Sequence, residues 1–452
     1  MNFQPYKPTT ERPWNLRRVW TLHRRVGFAA TWSELQRDLA DGPVKSIDWI
    51  LAGECRGDGV PGNFPEMSRV IGDSAVASDR PERLGAWWIY QMYFSPDPLR
   101  ERMAILWHNH FATSNAKLEN VQLMREQNEI FRHHAMGDFK KLLSATLKHA
   151  AMLKWLDGDE NRAGKANENL GRETLELFTL GVGIYTEADV KDASRALTGW
   201  SVSQNKFVVR DDWHDANEKT ILGQKGNFAG DDLVEIASKH ESTARRLAWR
   251  LCSEFLSPEV ATDDGIGELA RILTESKLNL RVAVETILRS ELFFSDENLK
   301  RRIVEPESFV VGAVRALEIF GPPASTMVLV DWVEQLGRKL FYPPNVGGWP
   351  GGRAWLNSRT IIARANFGVS LVSGGLHQGG AAPDLAGLVQ RRARSAALPD
   401  AAVFFSELLT GTTPDDGGRE LATNASEGLN DANEILRNMM AQILASPGAQ
   451  LG

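Results

Sequence analysis

Four polar residues near the middle of the chain share one helical stripe, and their types are those of acid–base chemistry. In NENLGRETLELFTLGVGIYTEADV, residues 167–190, Asn169, Arg172, Glu173 and Glu176 are three or four positions apart, which puts side chains on one face of a helix. Leu170, Leu175, Leu177 and Phe178 give the flanks to a core. Charges seldom border a core unless they are paired or functional. One reading is a structural network in which Arg172 clamps Glu176 across a turn. In the other, Arg172 keeps one carboxylate ionised while the second, against apolar surface, has a raised pKa and handles protons. Spacing does not assign the two roles.

Further groups could complete such a site. His108 and His110 flank Asn109 in WHNHF. Within a helix, residues two apart point about 200° away from each other, so only one imidazole would join a site. If the helix ends at Ala112–Asn115, both converge and a metal becomes an option, although HxH lacks the i, i+4 pair of a zinc helix. The loop PPNVGGWPGGRAW offers Asn345, Trp349, Arg353 and Trp355, with glycines that let backbone approach a ligand and indoles that stack on sugar rings. Trp200, the loop pair His214–Asp215 and Asp157, just after a helix, are the remaining binding candidates. No residue is assigned as a metal ligand, and the cofactor stays unknown.

The elements that must position these residues are helical almost throughout. Apolar periodicity predicts helices within 15–41 and over 79–94, 98–111, 117–135, 138–150, 165–181, 186–199, 231–256, 264–274, 279–291, 305–319 and 326–339. Only Lys206–Arg210 reads as a hairpin arm. Residues 53–81, 201–230 and 341–358 are rich in Gly, Pro and polar residues and are expected as long loops. The expected fold is all-α, a large multi-helix bundle or array with at most a short β-hairpin. Residues 1–376 form its core, and Ala/Gly-rich residues 377–452 a loosely attached helical tail.

The 452 residues are 42% hydrophobic and 24% charged, the balance of a globular protein. A net charge of -6 argues against a nucleic-acid surface. Two cysteines far apart, Cys55 and Cys252, give neither a disulfide framework nor a thiolate metal site, and Cys252 in LAWRLCSEFL reads as a small buried hydrophobe. No stretch is apolar enough to span a membrane and no signal peptide is visible. The expected compartment is therefore the cytoplasm, or an exported or periplasmic one where a leader has been removed. Walker, Rossmann and nucleophile-elbow signatures are missing, which disfavours phosphoryl transfer and serine hydrolysis.

WHNHFATS at 107–114, NENLGRETLELFTLGVGIYTEADV, ALTGW at 196–200 and PPNVGGWPGGRAWLNS at 343–358 together resemble the bacterial proteins grouped as domain of unknown function 1800. HRRVGFAAT at 23–31 and EPESFVVGAVRAL at 305–317 support the match, which runs over about residues 16–370. The resemblance implies a large helical protein, commonly exported and often encoded beside a second family whose fold looks like the alkaline phosphatase group. It implies no reaction. It also implies Gln where this chain has Arg338. Three readings stay open: a helical enzyme doing acid–base work on a glycan or other polyhydroxylated substrate, a His/Glu metal-dependent enzyme, and a scaffold that docks a partner protein encoded nearby.

Overall fold

The computed structural model describes residues 3–53, 59–377, 380, 382–395 and 397–452, so Cys55 lies outside the described residues. The fold is all-α, with two short antiparallel hairpins inserted between helices. Its organising element is the helix Pro98–His110, which starts on an Asp97 cap with proline in its first turn. Leu99, Met103 and Trp107 enter one apolar core, built largely from residues 99–294, while Ile105 enters a second, built from residues 19–124 and 304–449. A helix with cores on both sides is buried all round. Its charged residues Glu101 and Arg102 are buried with the rest, and they need partners there.

Several predicted elements form with altered ends. The stretch 231–256 divides at His240 into helices Gly230–Lys239 and Glu241–Phe255, because the His240 backbone is extended and its ring caps the second helix through Ser242 N–H. The stretch 165–181 is an α-helix only over Glu168–Glu173 and continues as a π-helix over Thr174–Thr179. There the Thr179 hydroxyl donates to the Thr174 carbonyl at 2.6 Å. Such π-turns recur at functional sites. The expected hairpin arm pairs as Lys206–Val209 against Trp200–Ser203, and a second hairpin joins Lys219–Ile221 to Gln224–Gly226.

Two expectations are corrected. Residues 53–81 do not form one long loop: Phe64–Ser78 is a helix. Phe64 stacks on Tyr90, and the Ser68 carbonyl accepts the Trp87 indole N–H at 3.0 Å, so packing on the neighbouring helix Pro81–Phe94 overrides the polar composition. Nor is the C-terminal stretch loosely attached. Met439 and Met440 of helix Ala432–Ala445 are fully buried in the second core, and Gly368 of helix Ser358–Val372 gives Leu444 close access. Arg302 and Gly452 exchange backbone hydrogen bonds, which ties the last residues to the middle of the chain.

Among the described residues, no helix is long and apolar enough to cross a membrane. Because helix Ala432–Ala445 completes a core, Met440→Ala is expected to lower unfolding stability by about 2–5 kcal/mol in chemical denaturation, the range for emptying a large buried side chain. A loosely attached tail would show almost no change.

Candidate functional site

A cavity of about 480 Å³ opens where helix Pro98–His110, helix Glu241–Phe255 and the segments around residues 302–305 and 338–352 meet. Its polar wall carries Asn109, Arg250, Glu254, Arg302, Glu305 and Arg338, and Trp249 and Trp349 give it aromatic surface. The central residue of WHNHF, rather than either histidine, ties the helix to the Gly-rich loop: Asn109 Oδ1 accepts the Trp349 N–H at 2.7 Å. The loop comes so close that a Cβ on Gly348, whose φ is +88°, would sit 2.2 Å from that same oxygen. Glycine is required at that position for space and for backbone conformation alike.

Beneath this wall lies a buried ionic cluster. Arg102 Nη1 pairs with Glu305 at 2.7 Å, and its Nη2 donates to the Gly27 carbonyl and, at 2.7 Å, to the Ser308 hydroxyl. Glu305 also pairs with Arg302, and Glu307 with Arg338 at 2.7 Å. Burial alone would raise the Glu305 pKa, but Arg302 and then Arg102 hold its carboxyl well below the usual range. Glu307 goes the other way, raised by burial against the pull of Arg338, with Glu305 adding to the rise. The Arg338 guanidinium lies under both loop tryptophans, 5.5 Å from the Trp349 ring centroid and 4.9 Å from that of Trp355.

Two members of the wall are not locked in this way. Glu254 comes no closer than 3.5 Å to Arg302 and 3.7 Å to Arg102, and its Oε1 is buried without a hydrogen bond. Arg250 makes neither a hydrogen bond nor an ion pair among the described residues, and its Nε and Nη2 are buried. Burial and the neighbouring Arg246 push the Arg250 pKa down to about 10.

The sequence-predicted residues distribute unevenly around this cavity. Trp349 lines it. His108 is sealed behind it, with Trp88, Phe131, Phe341 and Trp349 around its ring and no hydrogen bond on either nitrogen. The Thr113 backbone acts on that ring without meeting hydrogen-bond geometry; burial dominates and drives its pKa down to about 3. His110 points to another side, its Nε2 3.0 Å from the Phe178 carbonyl, and burial followed by Arg250 and Arg246 keeps it neutral. The two imidazoles therefore do not converge. Among the described residues, no three His, Cys, Asp or Glu side chains gather as metal ligands.

The acidic stripe stands one helix away. Arg172 does not clamp Glu176; it pairs with Glu187 at 2.7 Å and Glu168 at 3.1 Å, because the partner helix Glu187–Ala196 presents Glu187 to it. Glu176 instead accepts from the Tyr185 hydroxyl, whose pKa burial and then that bond raise to about 12. Glu173 is half-buried with a raised pKa, first through desolvation and then through Glu176. Glu176 also acts across the helix contact on Arg246, supporting its charge. Asn169 is exposed.

The other binding candidates lie apart from the cavity wall. Asp157 is exposed and paired with Lys117 at 2.6 Å. Trp200 is buried edge-on to Phe207. His214 Nδ1 faces the Thr198 carbonyl at 2.9 Å, and Arg195 holds the Asp215 carboxyl well below the usual range. Asn345 accepts the Gly347 N–H at 2.9 Å within its own loop, and Arg353 is exposed. Trp355 is buried over Arg338. Cys252 is buried, and desolvation lifts its thiol pKa to about 12. The residues missed were Asn109, Trp249, Arg250, Glu254, Arg302 and Glu305. Arg246, Arg250 and Glu254 are four apart in RRLAWRLCSEF, so the same face rule that marked the acidic stripe would have found them.

The family model described as Protein of unknown function (DUF1800) matches residues 21–451, and the chain belongs to that family. No curated protein and no solved structure matches it.

The raised pKa of Glu173 has a measurable sign. The folded state holds its proton more tightly than the unfolded chain, so stability falls as the pH rises from the ordinary glutamate value of about 4.3 through the raised one. Glu173→Gln is expected to melt higher than the parent at pH 7 and to lose that advantage at pH 4, as thermal unfolding at the two values would show.

Proposed function

Because membership of this family brings no reaction with it, we propose from the site itself that the cavity binds the substrate of an enzyme. Its chemistry is acid–base work on a polyhydroxylated small molecule such as a sugar or glycan terminus. The observation that carries this reading is convergence. The WHNHF motif through Asn109, the GGWPGG loop through Trp349 and its glycines, and the charged face of helix Glu241–Phe255 all line one cavity. Its volume is that of a small-molecule site. Trp249, 40% exposed at the wall, offers indole surface for a sugar ring, with the Arg246 and Arg250 guanidiniums 5.0 and 5.8 Å from its centroid.

Glu254 is the group suited to move a proton. Glu305 and Glu307 are bound tightly to Arg302, Arg102 and Arg338, whereas Glu254 keeps one oxygen without a hydrogen bond and its cations at arm's length. A carboxylate held loosely in a partly dry wall can take up and release a proton without breaking a tight pair. In this reading Glu173 and Glu176 are positioning residues: Glu176 steadies Arg246, and Arg246 in turn shapes the environment of Arg250 and His110. The rings of His108 and Trp349 brace the loop. Carbohydrate hydrolysis is the first reaction to test, although a second carboxylate for it would have to come from Glu305, which is pinned.

Turnover of an aryl-glycoside panel by the wild type and by Glu254→Gln tests the assignment. The variant is expected to lose about 10²–10⁴-fold in kcat while its melting temperature stays near that of the wild type. Equal turnover by the two proteins would remove Glu254 from the mechanism.

A further inference from the structure

Resting on the reading of the cavity as a substrate site, we propose that its ligand is an anion: a polyhydroxylated acid whose compact oxyanion is taken up by Arg250, with Arg302 and Arg338 in the same wall. The argument begins with pairing. Buried guanidiniums elsewhere in the molecule each place at least one Nη on an acceptor, even where the Nε has none, as in Arg24, Arg25, Arg102, Arg338 and Arg364. Arg18 meets Asp296 at 2.8 Å and the Phe294 carbonyl at 3.1 Å. Arg24 donates to the Phe28 and Ser308 carbonyls, and Arg25 to those of Phe255 and Asn298. Arg250 breaks this pattern. Its side chain forms no hydrogen bond or ion pair among the described residues, Nε and Nη2 being buried without an acceptor; the Trp249 ring lies 5.8 Å away, and Glu254 supports its charge only through space.

Its neighbours sharpen the imbalance. Arg246, one turn earlier on the same helix, also forms no ion pair among the described residues; it has one hydrogen bond, 3.5 Å to the Leu177 carbonyl, the Trp249 ring 5.0 Å away, support from Glu176 through space, and a buried, unpartnered Nε. Like charges four apart on a helix repel, and an unpaired buried cation is costly to keep. Glu254, the acid one turn further on, supports the Arg250 charge through space, but the cations within 4 Å of it are Arg302 and Arg102. Its charge is already shared. An oxyanion entering the cavity would supply the missing acceptors and relieve the repulsion, with charge-assisted hydrogen bonds of the kind guanidinium makes to carboxylate and phosphate. A neutral sugar offers no such balance. The size of the cavity points to a small molecule, and the net charge of -6 does not favour a nucleic-acid partner.

Carboxylate and phosphate share this chemistry, and a matched set of probes separates them: glucose, glucuronate and glucose 6-phosphate, titrated calorimetrically into the full chain at constant ionic strength. At least one of the two acids is expected to bind tenfold or more tightly than glucose, and the acid that does so identifies the charged group. Arg250→Gln is expected to lose tenfold or more of that affinity. Without ligand it should melt at the same temperature or higher, because a half-buried charge that makes no ion pair or hydrogen bond has gone. Arg245→Gln, on the exposed side of the same helix and paired with Asp263, should change neither reading. If glucose binds as tightly as both acids, the anion proposal fails and the cavity reading stands. If none of the three binds, both fail. Binding of an acid to Arg250→Gln as tightly as to the wild type would also overturn the proposal.

Discussion

Everything in this fold is arranged around a constraint that water normally relieves: guanidinium groups held inside protein must find acceptors there. Arg102 sits at the centre, on a helix with an apolar core on either side, and reaches Glu305, Ser308 and the Gly27 carbonyl. Those partners come from distant parts of the chain, so the cluster can form only when the segments near residues 27, 102 and 305 are already together. Removing one member of such a set leaves a charge stranded, which costs far more than the pair contributes. This gives the cluster a specifying role, because alternative packings of so many amphipathic helices would leave some of these charges without partners.

The same constraint explains why the cavity stands where it does. Apolar side chains close the cores above and below, but around Arg250, Glu254, Arg302 and Arg338 the packing stops short and leaves an open volume. The Gly-rich loop roofs part of it, fixed by the Asn109 bond to Trp349 and by the stacking of Trp349 and Trp355 over Arg338. Arg338 couples the buried Glu307 to the loop. In this chain the loop is held partly by a charge.

How much of this could be read beforehand depends on whether the information was local. Helix Pro98–His110 followed from its proline start and polar end. The hairpin arm near Lys206–Val209 followed from its β-branched run, and the irregular 341–358 stretch from its glycines and prolines. Helix Phe64–Ser78 was not legible because a partner helix stabilises a segment whose own composition favours a loop. The π-turn over Thr174–Thr179 was hidden too, since one extra residue in a turn leaves the apolar spacing nearly unchanged. At the cavity, Trp349 of the Gly-rich loop lines the wall whereas Asn345, Arg353 and Trp355 do not, and Asn109 lines it rather than His108 or His110 on either side. Which of three consecutive side chains faces a cavity is set by where the helix lies in the molecule, and that is a tertiary fact. Arg172 shows the same limit: four-residue spacing allowed a pair with Glu176, but Glu187 from the next helix reached it instead.

The most direct test of the account is to see whether an anion occupies the cavity. Crystals grown without sulfate or phosphate and soaked in selenate would be measured at the selenium edge. An anomalous peak is expected in the cavity, within hydrogen-bond distance of the Arg250 guanidinium. Selenate found only on exposed lysines or arginines, with Arg250 in contact with water alone, would contradict it.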